Sequence, residues 1–307
     1  MKIVVTGGAG FIGANLAHRL SHEHSVTVLD DLSSGRLSNL AATPSATVIE
    51  GSILDDDLLD RALTECAAVV HLAARPSVPR SIAEPVAAHE VNATGTLKVL
   101  EAARRNGGPH VIVASSSSVY GANPVLPKTE SLATRPVSPY AASKLATESY
   151  TLAWGHSYGL PVLAFRFFNV FGPLQPAGHA YAAAIPTFID AALAGRPIPV
   201  HGTGQQSRDF TFVGTVAEVI ARTIENRVTS AEPVNLAFGS NITLLDVIRH
   251  IERILGTSVA IEHLPTRAGD VVHSQADNAL LRSLIPGIEP EPFESGLRRT
   301  VEWFKTL

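Results

Sequence analysis

Three glycines stand directly after the first apolar run of the chain and directly before its first helical pattern. Gly7, Gly10 and Gly13 separate KIVVT from the helical residues that follow. Because glycine lacks a Cβ, the backbone can turn tightly there and approach a phosphate group, and the next helix presents unpaired N–H groups to an anion. The spacing predicts a strand-turn-helix unit, which is either a plain tight turn or a pyrophosphate site.

The end of the second β-rich run, SVTVLD, favours the second interpretation. Asp30 lies there, seventeen residues after Gly13, where a carboxylate accepts hydrogen bonds from the ribose diol of a dinucleotide. A carboxylate also repels a 2′-phosphate, so NAD is predicted as the cofactor rather than NADP. The residues that follow extend the predicted pocket, although a solvated loop and a plain turn explain them as well: Asp31, Ser33, Ser34 and Gly35.

Short β-rich runs alternate with longer helical patterns through the first half of the chain. The runs are KIVVT, SVTVLD, ATVIE, AVVHLAA and HVIVASSS. Continuous apolar strands separated by helices are typical of a parallel sheet that is covered on both faces. We therefore predict an α/β fold with a Rossmann-type doubly wound parallel sheet and a smaller C-terminal α/β substrate domain.

The predicted domain boundary lies where prolines and glycines become frequent. From about residue 170 the segments FGPLQPAG and AGRPIPVHGTG interrupt the pattern of strands and helices. We expect residues 1–168 to form the NAD-binding domain and residues 169–307 to form the domain that binds the substrate. Part of the stretch from about 210 to 240 is expected to return to the first domain.

Composition narrows the classes of partner. Of the 307 residues 45% are hydrophobic and 17% are charged, and the formal net charge of −4 includes no basic surplus for nucleic acid or an anionic membrane. The N-terminal residues contain no apolar signal region, and no run approaches the ~18 apolar residues of a membrane span, so a cytoplasmic location is expected. Cys66 has no cysteine to pair with, and the histidines lack metal-ligand spacing, so no disulfide and no metal are expected.

The segment SPYAASK predicts reactive chemistry. Tyr140 and Lys144 lie four residues apart on one face of a helical pattern. A solvent-facing helix explains that spacing equally well when the pair is taken alone. However, the strand HVIVA ends at the serines 115–118, and ligands of open α/β sheets bind beyond the carboxyl ends of the strands. Serine, tyrosine and lysine beside a nicotinamide would form a set of groups for proton transfer.

These motifs together resemble the extended short-chain dehydrogenase/reductase family, and within it the nucleotide-sugar 4-epimerases of the UDP-galactose 4-epimerase kind. The segments that carry the resemblance are TGGAGFIG, VLDDLSSG, HLAA, VNATGTL, SSSSVYG, SPYAASK, RFFNVFGP, QSRDF and RAGDV. They cover essentially the whole chain in the order and spacing of the family. Such a series is far more specific than one glycine motif.

The resemblance implies a role for each of three catalytic residues. Tyr140 would be the acid/base, Lys144 would hold the nicotinamide ribose and lower the pKa of Tyr140 together with the charge of oxidised nicotinamide, and Ser116 would assist. The hydroxyl of the substrate at C4 would lose its proton to Tyr140 while NAD takes hydride. Hydride would then return to the opposite face of a 4-keto intermediate.

The resemblance also implies two sets of binding residues. The cofactor set is Gly7, Gly10, Phe11, Ile12, Gly13, Asp30, Asp31, Ser33, Ser34, Gly35, Ser52, Ile53, Leu72, Ala73, Ala74, Asn92, Ser115, Tyr140, Lys144 and Phe167. The substrate set is Ser116, Ser117, Ser118, Tyr140, Asn169, Pro199, His201, Arg208, Arg267, Asp270 and Ser274. Core packing is an alternative explanation for Leu72, Ala73 and Ala74.

Departures from the family pattern separate the candidate reactions. Ser117 and Ser118 stand where related 4,6-dehydratases and uronate decarboxylases have acids, so simple epimerisation of a UDP-hexose is favoured. Pro176 lies near the place of an arginine that grips a uronate, which disfavours UDP-glucuronate without excluding it. Ser274 replaces a bulky tyrosine and leaves room for an N-acetyl group. Two competing hypotheses are a reductase of the same family and a non-catalytic NAD-binding protein.

Two further features concern cofactor contacts and assembly. Ser52 replaces the family's aspartate near the adenine, and Gly214 and Thr215 replace an Asp-Asp pair.

Members of the family commonly dimerise through helices at the flank of the sheet. A homodimer is therefore expected, and residues 141–153 and about 91–104 are the candidate interface helices.

Overall fold

The computed structural model describes residues 1–177, 183–266 and 273–307. Its strands are β1 (Lys2–Thr6), β2 (Ser25–Asp30), β3 (Thr47–Glu50), β4 (Ala68–His71), β5 (His110–Ser116), β6 (Val162–Phe167), β7 (Asn169–Phe171), β8 (Ile198–His201), β9 (Ser207–Arg208), β10 (Phe210–Phe212), β11 (Val234–Leu236), β12 (Ile242–Thr243) and β13 (Ile261–Leu264). Its helices are α1 (Phe11–Ser21), α2 (Asp56–Leu63), α3 (Val78–Ala83), α4 (Pro85–His89), α5 (Gly95–Arg105), α6 (Pro139–Tyr158), α7 (Ala184–Leu193), α8 (Val213–Glu225), α9 (Leu244–Leu255), α10 (Ala279–Leu284) and α11 (Phe293–Phe304). A π turn (Glu90–Thr94) joins α4 to α5, and 3₁₀ turns span Leu37–Leu40 and Ser117–Tyr120.

Seven parallel strands form the central sheet in the order β11-β6-β5-β4-β1-β2-β3. The chain moves outward from β1 to β3 and then crosses to β4, so the direction of winding reverses between β1 and β4. A crevice opens beyond the carboxyl ends of the strands at such a reversal, and ligands bind there. The prediction of a Rossmann-type doubly wound sheet is confirmed.

Alternating strand residues divide the core into two layers. Ile3 and Val5 pack in one hydrophobic cluster with residues of α1 and α8. Val4 points to the opposite face, into a second cluster with residues of α2 and α5. Because both faces of the sheet are covered in this way, the strands read as continuous apolar runs in the sequence.

A third cluster forms the core of the C-terminal part. It unites buried residues of α7, α9 and α11 with β8 and β10. Three two-stranded sheets surround it, namely β10-β7, β12-β9 and β13-β8. The stretch that contains α8 and β11 returns to the central sheet, because β11 pairs with β6 and α8 packs against α1. The domain boundaries at 168 and 169 stay a prediction.

Helix α6 has well-defined ends. Ser138 caps its first turn by accepting a hydrogen bond from the backbone N–H of Ala141 at 3.1 Å, and Pro139 occupies the first helical position. Gly159 ends the helix in the left-handed conformation. These signals fix where the helix begins and therefore where Tyr140, in its first turn, is placed.

Within the described ranges, no helix is long and apolar enough to span a membrane. Cys66 is a buried free thiol in the cluster beneath α2 and α5, and burial raises its pKa to about 11. It therefore behaves as a small apolar side chain.

A buried histidine at the end of β4 makes the fold sensitive to acid. His71 is 3% exposed and lies between the hydroxyls of Thr6 and Thr96, 2.7 and 3.1 Å from its ring nitrogens. Burial, and secondarily the charge of Lys144, lower its pKa from 6.5 to about 3. Because the folded protein keeps this ring neutral, its contribution to stability is present above pH 6.5 and is lost as the pH falls towards 3.

We predict that the free energy of unfolding falls with pH below 6.5, with His71 contributing a slope of up to about 1.4 kcal/mol per pH unit. Urea unfolding of the protein and of His71→Gln at about pH 7, 6 and 5 measures that contribution. The amide does not titrate, so the slope of the folded variant should be shallower. Equal slopes would contradict the assignment.

Candidate active site

A cavity of about 350 Å³ lies at the carboxyl edge of the sheet. It gathers residues from the glycine turn, from the ends of β2, β4, β5 and β6, and from the start of α6. The predicted residues that line it are Gly7, Gly10, Phe11, Ile12, Gly13, Asp30, Asp31, Ser33, Ser34, Ser52, Ile53, Leu72, Ala73, Ala74, Ser115, Ser116, Tyr140, Lys144 and Phe167. The structure thus brings the glycine turn and the Ser-Tyr-Lys set to one cavity.

The glycine turn is shaped by close backbone contacts. Gly7 has a φ of +70°, and a Cβ there would lie 2.6 Å from the backbone nitrogen of Ala73. A Cβ on Gly13 would lie 2.2 Å from the carbonyl oxygen of Gly7. Gly10 caps α1 without a side-chain hydrogen bond. The two glycines therefore permit a tight turn that places the first N–H groups of α1 beside the cavity, and this cradle fits the pyrophosphate of a dinucleotide.

Asp30 supports the turn and lines the cavity as well. It is 7% exposed, and its oxygens accept hydrogen bonds of 2.9 Å from the N–H groups of Ala9 and Leu32. An ionised carboxylate has about four acceptor positions, so it can also accept from a ribose diol. Gly35 does not line the cavity, but a Cβ there would lie 2.9 Å from Oδ1 of Asp30. Asp31 is exposed and binds Ser33 through both the hydroxyl and the backbone N–H of that residue.

Asn92 acts from behind the cavity. It is 1% exposed in the π turn, its Oδ1 accepts from the N–H of Arg75 at 2.7 Å, and its Nδ2 donates to Ser143 at 2.9 Å. Arg75 lines the cavity, so Asn92 positions a segment of the wall. A direct cofactor contact of Asn92 stays a prediction.

Tyr140 and Ser116 meet inside the cavity. Burial raises the pKa of the Tyr140 phenol, whereas its hydrogen bond with Ser116 acts in the opposite direction. We expected the ammonium of Lys144 to help lower this pKa, but the protein's own groups raise it because desolvation outweighs the hydrogen bond. The lowering that we predict for Lys144 together with an oxidised nicotinamide stays a prediction.

Lys144 is buried one helical turn after Tyr140. It is 5% exposed, and its ammonium donates to the carbonyl oxygen of Ala114 at 2.8 Å. Burial lowers its pKa to about 8. An ammonium carries three donors, so Lys144 can bind Ala114 and a ribose hydroxyl at the same time.

A second cavity of about 270 Å³ adjoins the first. Val170 and Gln175 line both cavities. The predicted substrate residues Asn169, Pro199, His201 and Arg208 line the second one. His201 is tied to the carbonyl oxygen of Pro265 through Nδ1 at 2.8 Å. The arrangement separates a cofactor-sized space from a second space that carries an arginine.

Other predicted substrate residues lie elsewhere. Ser117 and Ser118 belong to the 3₁₀ turn after β5 and line neither cavity, and Ser274 is bound through its N–H to the carbonyl oxygen of Ser207 at 3.1 Å. Arg267 and Asp270 lie outside the described residues. The roles of all five stay predictions.

Three positions where this chain departs from the family have structural roles. Gly214 allows the ring of Phe212 to pack closely, because a Cβ at Gly214 would lie 2.7 Å from it. The hydroxyl of Thr215 accepts from the N–H of Glu291 at 3.0 Å. Ser52, in the wall of the first cavity, accepts from the N–H of Leu54 at 3.1 Å.

Among residues 1–177, 183–266 and 273–307, side chains that can bind a metal form a cluster at one place, away from both cavities. Ligand atoms of Glu23, His24 and Glu225 lie within 4.8 Å of one another. Arg19 already pairs with both carboxylates, at 3.2 and 3.5 Å, and an arginine charge there opposes a cation. We assign no metal to this cluster.

Sequence reasoning missed several lining residues. Arg75 and Pro76 follow β4 directly, so the rule that ligands bind at the ends of parallel strands could have included them. Phe168, Val170 and Gln175 follow β6, and the same signal applies to Phe168. Val170 and Gln175 join the two cavities only through the tertiary fold.

Comparisons with known proteins agree with this geometry. The model of the family described as "NAD dependent epimerase/dehydratase family" matches residues 3–237, more than half of the chain. The chain is 35% identical to a UDP-glucose 4-epimerase of Mycolicibacterium smegmatis over 99% of both chains, and 33% identical to a probable UDP-glucuronate 4-epimerase of Rhizobium meliloti over 99% of this chain and 97% of that one.

A solved structure has the same fold throughout. The UDP-N-acetylglucosamine 4-epimerase of Methanobrevibacter ruminantium, in complex with UDP-N-acetylmuramic acid, matches with a TM-score of 0.95 and 39% identity over 99% of this chain and 98% of that one. These relatives are UDP-sugar 4-epimerases, which are isomerases, and the prediction of NAD is confirmed at the level of the family. The chain belongs to the NAD-dependent epimerase/dehydratase family.

Proposed function

We propose that this protein is an NAD-dependent epimerase that inverts C4 of a UDP-hexose through a 4-keto intermediate. The proposal rests mainly on one observation: Ser116, Tyr140 and Lys144 line the same cavity, and the glycine cradle of that cavity fits a dinucleotide. A second cavity with Arg208 adjoins it, as a nucleotide-sugar enzyme requires. The names of the relatives support the same reaction.

The proposed mechanism assigns one task to each catalytic side chain. NAD, when bound on the glycine turn, supplies hydride acceptance and return. Tyr140 takes the proton of the 4-hydroxyl and later gives it back, and Ser116 holds that oxygen through a hydrogen bond. Lys144 holds the nicotinamide ribose and keeps a positive charge near the phenolate. Since hydride is returned within each cycle, no external reductant is needed.

The second cavity is the proposed place of the UDP group. Arg208 can pair with phosphate oxygens, because a guanidinium presents a fork of donors that suits them. Asn169 adds an amide, and Pro199 and His201 are placed to border the base. Arg267 and Asp270 are proposed to complete the contacts to the diphosphate and the ribose.

A neutral hexose is the favoured sugar. Ser117 and Ser118 replace the acids that elimination would require, and Pro176, which stands near the position of the carboxylate-binding arginine in uronate epimerases, supplies no cation. The small Ser274 suits a hexose with or without an N-acetyl group, in line with the name of the solved relative. A UDP-glucuronate 4-epimerase is the second candidate, supported by the name of the Rhizobium meliloti relative. A reductase or dehydratase of the family ranks below both.

We propose a cytoplasmic homodimer that binds neither nucleic acid nor a membrane. Helices α3, α4 and α6 pack together and expose large apolar side chains. These are Val78, Ile82, Val86, Tyr150 and Tyr158, which are between 37% and 68% exposed. Apolar groups gathered on helices at the flank of the sheet support a self-association surface there.

The reaction is tested by incubating the protein, with and without added NAD, with UDP-glucose, UDP-N-acetylglucosamine and UDP-glucuronate in separate samples. The anomeric proton signals should show the C4 epimer with no net NADH. Tyr140→Phe should lower kcat by about 10²–10⁴-fold because it removes the acid/base group.

Tyr158→Phe is the matched control, since it also loses one phenol on α6 but lies 54% exposed at the far end of the helix. Its kcat should equal that of the unaltered protein. Unchanged sugars in samples that hold bound NAD would contradict the proposed reaction, and full turnover by Tyr140→Phe would contradict the proposed base.

The charge of Lys144 should make kcat/KM depend on pH. Its pKa is about 8, so the ammonium is present below that value and is lost above it. We expect kcat/KM, which reports the free enzyme, to fall as the pH rises through about 8. Initial rates measured between about pH 7 and 10 test this. A profile that stays flat or rises over the whole range would show that the lysine charge is not required.

The proposed homodimer is tested by measuring the mass of the protein with light scattering as it elutes from a size-exclusion column. The expected mass is twice the chain mass of 32.4 kDa. Tyr150→Glu places a charge on the proposed surface and should shift the mass to that of one chain. Ile261→Glu is the matched control, because Ile261 is 39% exposed and Tyr150 is 38% exposed. Equal behaviour of the two variants would exclude the α6 surface as the interface.

A further inference from the structure

A buried salt bridge lies beside the first cavity without lining it. Arg166 on β6 and Glu148 on α6 form two bonds, Nη2 to Oε1 at 2.6 Å and Nε to Oε2 at 2.9 Å. Their side chains are 3% and 5% exposed. Two charges in such a place gain little stability over a well-packed apolar pair, because both must be removed from water. The pair therefore calls for a role other than stability.

Glu148 makes a third bond, and it leads to the cavity. Its Oε2 accepts from the hydroxyl of Ser115 at 2.9 Å, and Ser115 is 2% exposed. Ser115 pairs in register with Arg166 across β5 and β6. The carboxylate thus binds two residues on neighbouring strands, and one of them directly precedes Ser116.

The end of β5 and the face of α6 are joined by three successive contacts. Residues 140, 144 and 148 lie at four-residue spacing on α6, which puts them on one helical face. Tyr140 binds Ser116, Lys144 binds the carbonyl oxygen of Ala114, and Glu148 binds Ser115. Of the three contacts, only that of Glu148 comes from a residue with no task in the proposed reaction.

Arg166 holds the chain on the other side of Ser116. Its guanidinium packs over the ring of Tyr120 at 4.7 Å from the centroid, in the turn that follows Ser116, and its Nη1 donates to the carbonyl oxygen of Glu130 at 3.2 Å. The hydroxyl of Tyr120 donates to Asn235 at 2.7 Å. The salt bridge therefore fixes the residues before and after Ser116.

We propose that Arg166 and Glu148 are positioning residues that hold Ser116 in contact with Tyr140, acting through the hydroxyl of Ser115. This inference rests on the proposed function, because it takes Ser116 and Tyr140 as the groups that handle the proton of the 4-hydroxyl. It assigns the hydroxyl of Ser115 to the salt bridge rather than to the cofactor.

Ser115→Ala removes the hydrogen bond from Ser115 to Glu148 and leaves the two bonds between Arg166 and Glu148 intact. We expect kcat to fall by about tenfold to a hundredfold, because small displacements of a catalytic group cost rates of that order. The KM for the UDP-sugar and the affinity for NAD should change less than about twofold, since neither is bound by the lost hydroxyl. Thr223→Val is the matched control: it removes another fully buried hydroxyl, on α8, and should keep full activity.

The double variant Arg166→Met/Glu148→Leu separates positioning from stability. Apolar replacement of both charges should leave the thermal midpoint near that of the unaltered protein or raise it. The variant should nevertheless show the same loss of kcat as Ser115→Ala. Adding Ser115→Ala to it should cause little further loss, because both changes break one connection. Independent, multiplying losses would contradict the proposal.

The pKa of Tyr140 can be measured without turnover, so it tests the positioning even if the proposed reaction is wrong. Carbon-13 labelling at Cζ of the five tyrosines, with Tyr140→Phe to assign its signal, gives the pKa of Tyr140 directly. Loss of the Ser116 contact should raise that pKa in Ser115→Ala and leave it unchanged in Thr223→Val. Inactivity of the unaltered protein on all UDP-sugars would reject the proposed reaction, while the titration would still decide the positioning.

An unchanged Tyr140 pKa in Ser115→Ala would overturn the inference. So would full kcat at saturating NAD combined with weakened NAD binding, because that result would make Ser115 a cofactor contact.

Discussion

The buried ammonium of Lys144 is the constraint on which the rest of the site depends. A cation that is 5% exposed needs a partner, and the carbonyl oxygen of Ala114 supplies one at 2.8 Å. That bond fixes α6 against the end of β5 and so brings Tyr140 to Ser116. Burial also lowers the lysine pKa to about 8, and the same charge helps to keep His71 neutral. The buried charge of Lys144 thus joins α6 to the sheet. It also influences how the activity and the stability of the protein depend on pH.

The two cavities divide the work of the protein between its parts. The first is built by the parallel sheet and the glycine turn, and the second mainly by β7, β8, β9 and α7. Val170 and Gln175 border both, so a ligand that occupies the second cavity can reach the reactive groups of the first. This division suits a sugar whose nucleotide is held firmly while the sugar ring turns near Tyr140.

Local features of the sequence were sufficient for much of this structure. Gly7 and Gly13 are required by backbone contacts within one turn, Asp30 ends a strand, and Tyr140 and Lys144 share a helical face, so pattern and spacing reveal them. The parallel sheet follows from continuous apolar runs that are buried on both faces.

The features that escaped prediction depend on residues far apart in the chain. Asn92 binds the backbone of Arg75, and Glu148 joins Arg166 to Ser115, none of which periodicity can indicate. The raised pKa of Tyr140 was also missed, because burial is a property of the assembled site. The return of the stretch around β11 to the first domain was expected, but its pairing partner, β6, is set by the tertiary fold.

The proposed transfer of hydride to and from C4 is tested by following the hydrogen at that carbon. The UDP-hexose that the protein turns over is prepared with deuterium at C4, and its epimer is analysed by mass spectrometry after many turnovers in ordinary water. If hydride leaves and returns within one closed site beside Tyr140, the product keeps its deuterium. Replacement of that deuterium by solvent hydrogen would rule out hydride transfer within the site, because the hydrogen would then have been exchanged as a proton.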